Sequence, residues 1–170
     1  CKNVHGKEDT LITIQIDQML SKKFGMEYVD RDGQKKNPYI IHRTSIGCYQ
    51  RTLALIIEKF AGALPMWLAP VQIKVLPIGL DQHPYAEEVT DKLRAKGLRV
   101  ELDEREEKIG YKIREAQLQK VPYMLVLGAK EAAEGTVAVR DRKNGDAGCV
   151  PFEEFLARAV KETEEKYMLS

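Results

Sequence analysis

Residues 98–128, LRVELDEREEKIGYKIREAQLQKVPYMLVLG, permit few folds because their hydrophobic period changes from strand to helix and back. Leu98, Val100 and Leu102 alternate with Arg99 and Glu101, the period-2 signature of a half-buried strand. Asp103 to Glu107 is too charged to bury and predicts a solvated turn. Ile109, Ile113, Ala116 and Leu118 then fall near helical spacing, leaving Lys108, Lys112, Arg114 and Lys120 for other faces. Pro122 stops the helix, and the apolar run Tyr123–Leu127 has the length of a buried strand. Strand, turn, helix and strand in this order place the turn and helix start beyond the carboxyl end of the first strand. Open α/β sheets put their binding sites there.

The flanking sequence divides in two. Thr10–Asp17 is β-branched and alternating, a strand, and Met19–Phe24 is a short helical turn ending at Gly25. Met26–Val29 runs into the hairpin signal Asp30-Arg31-Asp32-Gly33. The polar residues 34–37 precede a further strand, Pro38–Arg43. A helix is expected from Tyr49 to Ala61, with Leu53, Ile56, Ile57 and Phe60 on one face and Gly62 as its cap. Residues 1–62 thus read as a piece of antiparallel sheet with one helix. Two prolines bracket Met66-Trp67-Leu68 in residues 63–70, a linker with an apolar plug.

From residue 71 the pattern becomes α/β. Val71–Ile78 is a strand interrupted by Pro77, and Asp81 is a candidate cap for a helix carrying Tyr85, Val89 and Leu93. After the central stretch come a strand at Thr136–Arg140, a turn at Lys143–Asp146, and a closing helix striped by Phe152, Phe155, Leu156, Ala159 and Val160. The expected fold class is therefore α/β. Residues 71–170 form a mixed, mostly parallel sheet flanked by helices, preceded by a fragment of antiparallel sheet.

Composition narrows the function classes. At 170 residues and 44% hydrophobic content the chain has material for one ordinary domain, or one and a fragment. The formal charge of +1 with 31% charged residues names no partner, so a nucleic-acid binder of this balance needs a local basic face. Cys1, Cys48 and Cys149 are odd in number and form no C-x-x-C pair, which fits a reduced, cytoplasmic setting. No apolar run has the ~18 residues of a membrane span. The start is polar, unlike a signal peptide, and opening on Cys suggests a chain cut from something longer. Neither G-x-G-x-x-G nor G-x-x-x-x-G-K-[ST] occurs, so a dinucleotide or P-loop enzyme finds no support.

The run from Arg105 through Leu127, REEKIGYKIREAQLQKVPYMLVL, closely resembles the anticodon-binding domain of threonyl-tRNA synthetases. That family usually shows Arg-x-Glu-Lys-(Ile/Leu)-Gly-(Tyr/Phe)-Lys-Ile-Arg-Glu leading into a Val/Ile-Pro-Tyr strand. IHRTSIGCYQRTLALIIEKFAG, beginning at Ile41, resembles motif 3 of class II aminoacyl-tRNA synthetases in its threonyl form. Cys48 stands where that family usually has Ser, and Gln50 where it has Glu, while Gly47 and Arg51 keep their spacing. The resemblance implies that Arg51 contacts ATP phosphates, a task suited to a bidentate guanidinium. It places Gln15 in a threonine pocket and makes His42 one ligand of the family's zinc. The other two zinc ligands and motifs 1 and 2 lie upstream in that family. ATP and zinc are therefore expected of the parent enzyme, with neither held by this chain, which is expected to be catalytically inactive.

The same resemblance implies that residues 71–170 bind the anticodon loop of tRNA(Thr). Unstacked bases are read by hydrogen bonds to their edges and by stacking, with cations for the phosphates. Arg140 would read the central guanine, whose O6/N7 edge fits an arginine fork. Glu131 and Lys120 would lie near the last anticodon base, with Lys120 where the family often has Arg. Glu106 stands where some members have Asn. Arg105, Lys108, Lys112 and Arg142 would contact the RNA backbone. The parent is expected to be a homodimer that ligates threonine to tRNA(Thr). The alternative is a free-standing adaptor module built on the same domain, against which the motif-3 likeness argues.

Overall fold

The computed structural model describes residues 1–167 and falls into two compact units, Cys1–Phe60 and Ala61 onward. In the first, β1 (Ile14–Asp17) is followed by α1 (Leu20–Lys23). The Asp17 carboxylate accepts the N–H groups of Met19 and Leu20 at 2.7 and 2.8 Å, which starts that turn of helix. β2 (Tyr28–Val29) and β3 (Lys35–Lys36) form the expected hairpin, with Gly33 N–H donating to Asp30 O at 2.8 Å. β4 (Ile40–Arg43) pairs antiparallel with β1, placing Gln15 opposite His42 and Ile16 opposite Ile41. α2 (Tyr49–Lys59) completes the unit.

Two boundaries differ from the sequence reading. The strand expected from Thr10 begins only at Ile14. Side chains take the preceding backbone instead: Arg51 Nη1 donates to Thr10 O at 3.1 Å, and Thr13 N–H donates to Thr44 Oγ1 at 3.0 Å. The helix expected to reach Ala61 ends at Lys59, and Ala61 and Gly62 both lie in the left-handed region at φ +48° and +78°. Gly47 is required where it stands. A Cβ there would lie 2.2 Å from Leu11 O, at a φ of +73° that side chains disfavour.

The second unit holds a five-stranded sheet in the order β6-β5-β7-β8-β9. β5 (Ile73–Pro77) runs parallel to β6 (Val100–Leu102) and β7 (Tyr123–Leu127). β8 (Thr136–Asp141) and β9 (Gly145–Pro151) extend it antiparallel. α3 (His83–Ala95) and α6 (Phe152–Glu164) cover one face, where Val89, Leu93, Phe155 and Ala159 pack on Ile73, Val75, Leu125, Val137 and Val139. α4 (Ile109–Leu118) lies on the other, with Ala116 against Leu76 and Met124. The apolar plug belongs to this unit: Met66 is fully buried in the larger core, and its carbonyl accepts from Gln72 Nε2 at 3.0 Å. No helix among the described residues is long and apolar enough to cross a membrane.

Several sequence expectations are corrected here. Asp81 caps nothing; it sits in a 3-10 turn, Leu80–Gln82, ahead of α3, whose first turn is set by Pro84 instead. Asp103 is buried at 4% exposure rather than solvated, because Arg105 clasps its carboxylate. Lys112 is buried at 2%, whereas Leu118, assigned to the apolar stripe, is 73% exposed. The small side chain of Ala116 brings α4 close to the sheet, and Lys112, one turn earlier on the same face, spans to the strand ends. α5 (Ala129–Glu134) and β9 carried no recognisable period. α5 is too short to show one, and β9 is fixed by its register with β8 rather than by alternation.

This packing predicts a contrast between two methylene-rich side chains. Met66→Ala should lower unfolding free energy by about 2–5 kcal/mol, while Leu118→Ala should stay within about 0.5 kcal/mol of wild type. Urea denaturation followed by far-UV circular dichroism measures both. Equal effects would contradict the assignment of Met66 to the core.

Candidate nucleic-acid interface

β5 leaves the sheet toward α3 on one face, while its neighbour β6 leaves toward α4 on the other. Their carboxyl ends therefore form a topological switch point, where α/β sheets open a crevice. A cleft of about 340 Å³ lies there, lined by Ile78, Leu80, His83, Glu106 and Lys108 among others. Its size is at the small end for ligand sites.

Beneath the cleft runs a charged network. Arg105 donates from Nε to Asp103 Oδ1 at 2.9 Å and from Nη2 to Asp103 Oδ2 at 2.6 Å. The same Nη2 lies 2.6 Å from Glu115 Oε2, and Tyr111 OH donates to Glu115 Oε1 at 2.8 Å. The Arg105 hydrogen bonds hold the Asp103 carboxyl below its ordinary range, and Arg105 followed by Tyr111 does the same for Glu115. Lys112 Nζ donates to Pro77 O and Asp103 O at 3.2 and 3.1 Å. Arg105 and Lys112, expected at the RNA backbone, are thus engaged within the protein, and burial removes Lys112 from reach of a phosphate in solvent. Glu106 and Lys108 remain exposed at the rim, with no side-chain hydrogen bond or ion pair among the described residues.

The remaining candidates lie farther along the sheet. Arg140 is opposite Met124 across β7 and β8. Its Nη1 is 3.5 Å from Asp146 Oδ2, and its buried Nε has no hydrogen-bond partner among the described residues. Arg142 Nη1 donates to Leu64 O at 3.0 Å and Lys120 O at 2.7 Å, and Nη2 to Ala63 O at 3.1 Å. Burial lowers its pKa from the ordinary arginine value. Lys120 Nζ donates to Ala61 O. Lys120 and Arg142 therefore serve first as clasps on residues 61–64. Glu131 accepts from Gly128 N–H at 2.9 Å, closing the start of α5. A Cβ at Gly128 would lie 2.9 Å from Glu131 Oε2, so glycine makes that bond possible. Arg140 lies opposite Met124 near the amino end of β7, whereas Glu131 lies in α5 just past the carboxyl end of that strand, its Oε1 accepting from Cys149 Sγ at 3.9 Å.

In the first unit Arg51 is exposed and bonds Thr10 O, and Gln15 and His42 face one another across the strand pair. His42 Nε2 lies 4.0 Å from Asp17 Oδ2. Among the described residues no group of three or more His, Cys, Asp or Glu is placed to hold a metal, so the donor set here does not fit a three-ligand zinc site. Sequence reasoning overlooked His83 and Asp146. Each is a lone residue with no period or motif, brought to the site only by the chain's return.

Residues 72–162, more than half of the chain, match the family described as "Anticodon binding domain". The chain belongs to that family. Residues 2–60 match the "tRNA synthetase class II core domain (G, H, P, S and T)". Among curated relatives, the threonine–tRNA ligase of Clostridium perfringens (strain SM101) is 63% identical over 161 residues, 95% of this chain and 25% of that protein. That of Clostridium botulinum (strain Eklund 17B) is 59% identical over 166 residues, 98% of this chain and 26% of the other. The chain thus spans about a quarter of the length of these relatives, as the resemblance to the C-terminal part of threonyl-tRNA synthetases implied. The RNA-binding domain of threonyl-tRNA synthetase from Cryptosporidium parvum Iowa II superposes with a TM-score of 0.81 at 32% identity, over 94% of this chain and 41% of that one.

The network makes a pH-dependent prediction. A carboxyl depressed in the folded state contributes stability above its unfolded value of about 4, and that stability is lost as pH falls through the folded value. Asp103→Asn should therefore be less stable than wild type at neutral pH and lose less on acidification from about pH 5 to pH 2. Urea midpoints across that range measure it; parallel losses in both proteins would remove Asp103 from the acid transition.

Proposed function

We propose that this chain reads the anticodon loop of tRNA(Thr), with Arg140 as the reader of its central guanine. The observation that carries this reading is the partly exposed Arg140 guanidinium on the sheet, whose terminal Nη1 is held only loosely, 3.5 Å from Asp146 Oδ2. Such a fork presents parallel N–H groups to the O6/N7 edge of an unpaired guanine. Lys108, exposed at the rim of the switch-point cleft, supplies charge for phosphate, and Glu106 and Glu131 supply acceptors for base N–H groups. With Lys112 buried and Lys120 and Arg142 clasping carbonyls, few of the cations that the resemblance places at the RNA remain for phosphate, so binding is weak and salt-sensitive.

In this reading the longer protein ligates threonine to tRNA(Thr) with ATP, in a cytoplasmic setting. Arg51 then serves the ATP phosphates, and Gln15 and His42 the threonine side, with the remaining zinc ligands supplied from elsewhere in that protein. The match of residues 2–60 to a synthetase core supports this over an adaptor module.

Two outcomes are expected. The chain binds an RNA stem-loop carrying a threonine anticodon at least about fivefold more tightly than one with the central guanine replaced by adenine. Arg140→Ala abolishes that ratio while circular dichroism stays unchanged, and a retained ratio would remove Arg140 from base reading. Incubated with ATP, threonine and tRNA, the chain alone forms no threonyl-tRNA by acid-gel assay; formation would place a complete active site within these residues.

A further inference from the structure

Asp146 faces the proposed reader and was assigned no role by the sequence. It sits at the tip of the β8–β9 hairpin, in register with Arg140 across a β-bulge between Ala138 and Arg140. Its Oδ2 lies 3.5 Å from Arg140 Nη1, and its Oδ1 accepts the Gly148 N–H at 2.9 Å. The side chain is 67% exposed, whereas that of Arg140 is 30% exposed. At this separation and exposure the pair is a loose ion pair contributing little to stability. It nevertheless places a negative charge beside the one guanidinium that the reading assigns to a base.

We propose that Asp146 is a specificity-determining residue that makes Arg140 select a neutral acceptor edge of a base over a phosphate. The inference rests on the anticodon reading of Arg140. An unshielded arginine on an open sheet attracts any phosphodiester, and such attraction carries no sequence information. The Asp146 carboxylate repels an incoming phosphate by like charge and leaves the N–H fork available to uncharged O6 and N7 acceptors. It gives little discrimination among bases by itself; it removes the competing, sequence-blind mode of binding. The bond to Gly148 N–H fixes the carboxylate at the hairpin tip, so the charge is built into the turn.

The test separates charge from turn structure. Asp146→Asn keeps an oxygen for the Gly148 N–H and removes the charge; Asp146→Ala removes both. Fluorescence anisotropy of the full 170-residue chain is measured with central-guanine and central-adenine stem-loops over a salt series. In Asp146→Asn, affinity for the adenine loop should rise about threefold or more at low salt. The guanine-to-adenine ratio should fall, and the slope of log K against log salt should steepen by about 0.7, the value for one added phosphate contact on a single strand. Asp146→Ala should show the same shift in ratio if charge is the cause. A ratio and salt slope in Asp146→Asn equal to wild type overturn the inference while leaving the Arg140 reading intact. Loss of both affinities in equal proportion makes Asp146 merely structural and also overturns it. A wild-type chain that does not distinguish the two loops overturns the Arg140 reading, and this inference with it.

Discussion

Where two parallel strands end side by side, their last carbonyls point into a space that neither a helix nor the next strand fills. Here they are the carbonyls of Pro77, the last residue of β5, and of Asp103, the residue just past β6, and the Lys112 ammonium reaches both from the first turn of α4. A buried lysine is costly unless its donors are taken up, and here the stem packs against the sheet while the head satisfies two acceptors. Arg105 completes the arrangement by clasping Asp103 and Glu115 together. The loop from 103 to 108 is thereby tied at its start to β6 and at its end to α4. Both the position of that helix and the shape of the switch-point cleft depend on this tie.

This tie also sorts the charges. A chain with a formal charge of +1 cannot bind RNA by bulk attraction, so which cations are spent internally matters. Lys112 and Arg105 are spent at the strand ends. Arg142 and Lys120 are spent on the carbonyls of Ala61, Ala63, Leu64 and Lys120 itself. Of the cations that the resemblance places at the RNA, those left without a partner carbonyl or a tight carboxylate clasp are Lys108 at one end of the sheet and Arg140 at the other.

The sequence made the architecture legible because the architecture is written in period. Alternation at 98–102, helical spacing from 109 and the apolar run at 123–127 each report an element, and the structure forms all three, although in the helix Leu118 is exposed and Lys112 is buried in its place. Charge was the less legible property. Asp103 reads as solvated because a carboxylate in an acidic run ordinarily is, and only the fork of Arg105, two residues on, reverses that. Lys112 reads as surface for the same reason. Its burial depends on two carbonyls from distant strands, which no local pattern announces. Asp146 is invisible for a third reason, since its partner is six residues away through a hairpin whose second strand, GDAGCVP, does not alternate.

The two units differ in the same terms. The second has a sheet covered on both faces and a continuous core. In the first, among the described residues, Ser21 alone is buried, α2 buries nothing, and Ile14, Ile16 and Ile41 stand 67%, 64% and 66% exposed. Those isoleucines fall on one face of the β1–β4 pair, since Ile16 is opposite Ile41 and Ile14 is two residues from Ile16. Local bonds still define its turns: Asp17 on α1, Asp30 in the hairpin, Gly47 close against Leu11 O. Such bonds fix conformation and add little net free energy, because water competes for each of them. Burial supplies most of the stability of a fold, and this unit has almost none of it. Its sequence is therefore specified for a sheet larger than the one it forms by itself, which accords with a match to a synthetase core over residues 2–60 and with relatives four times as long.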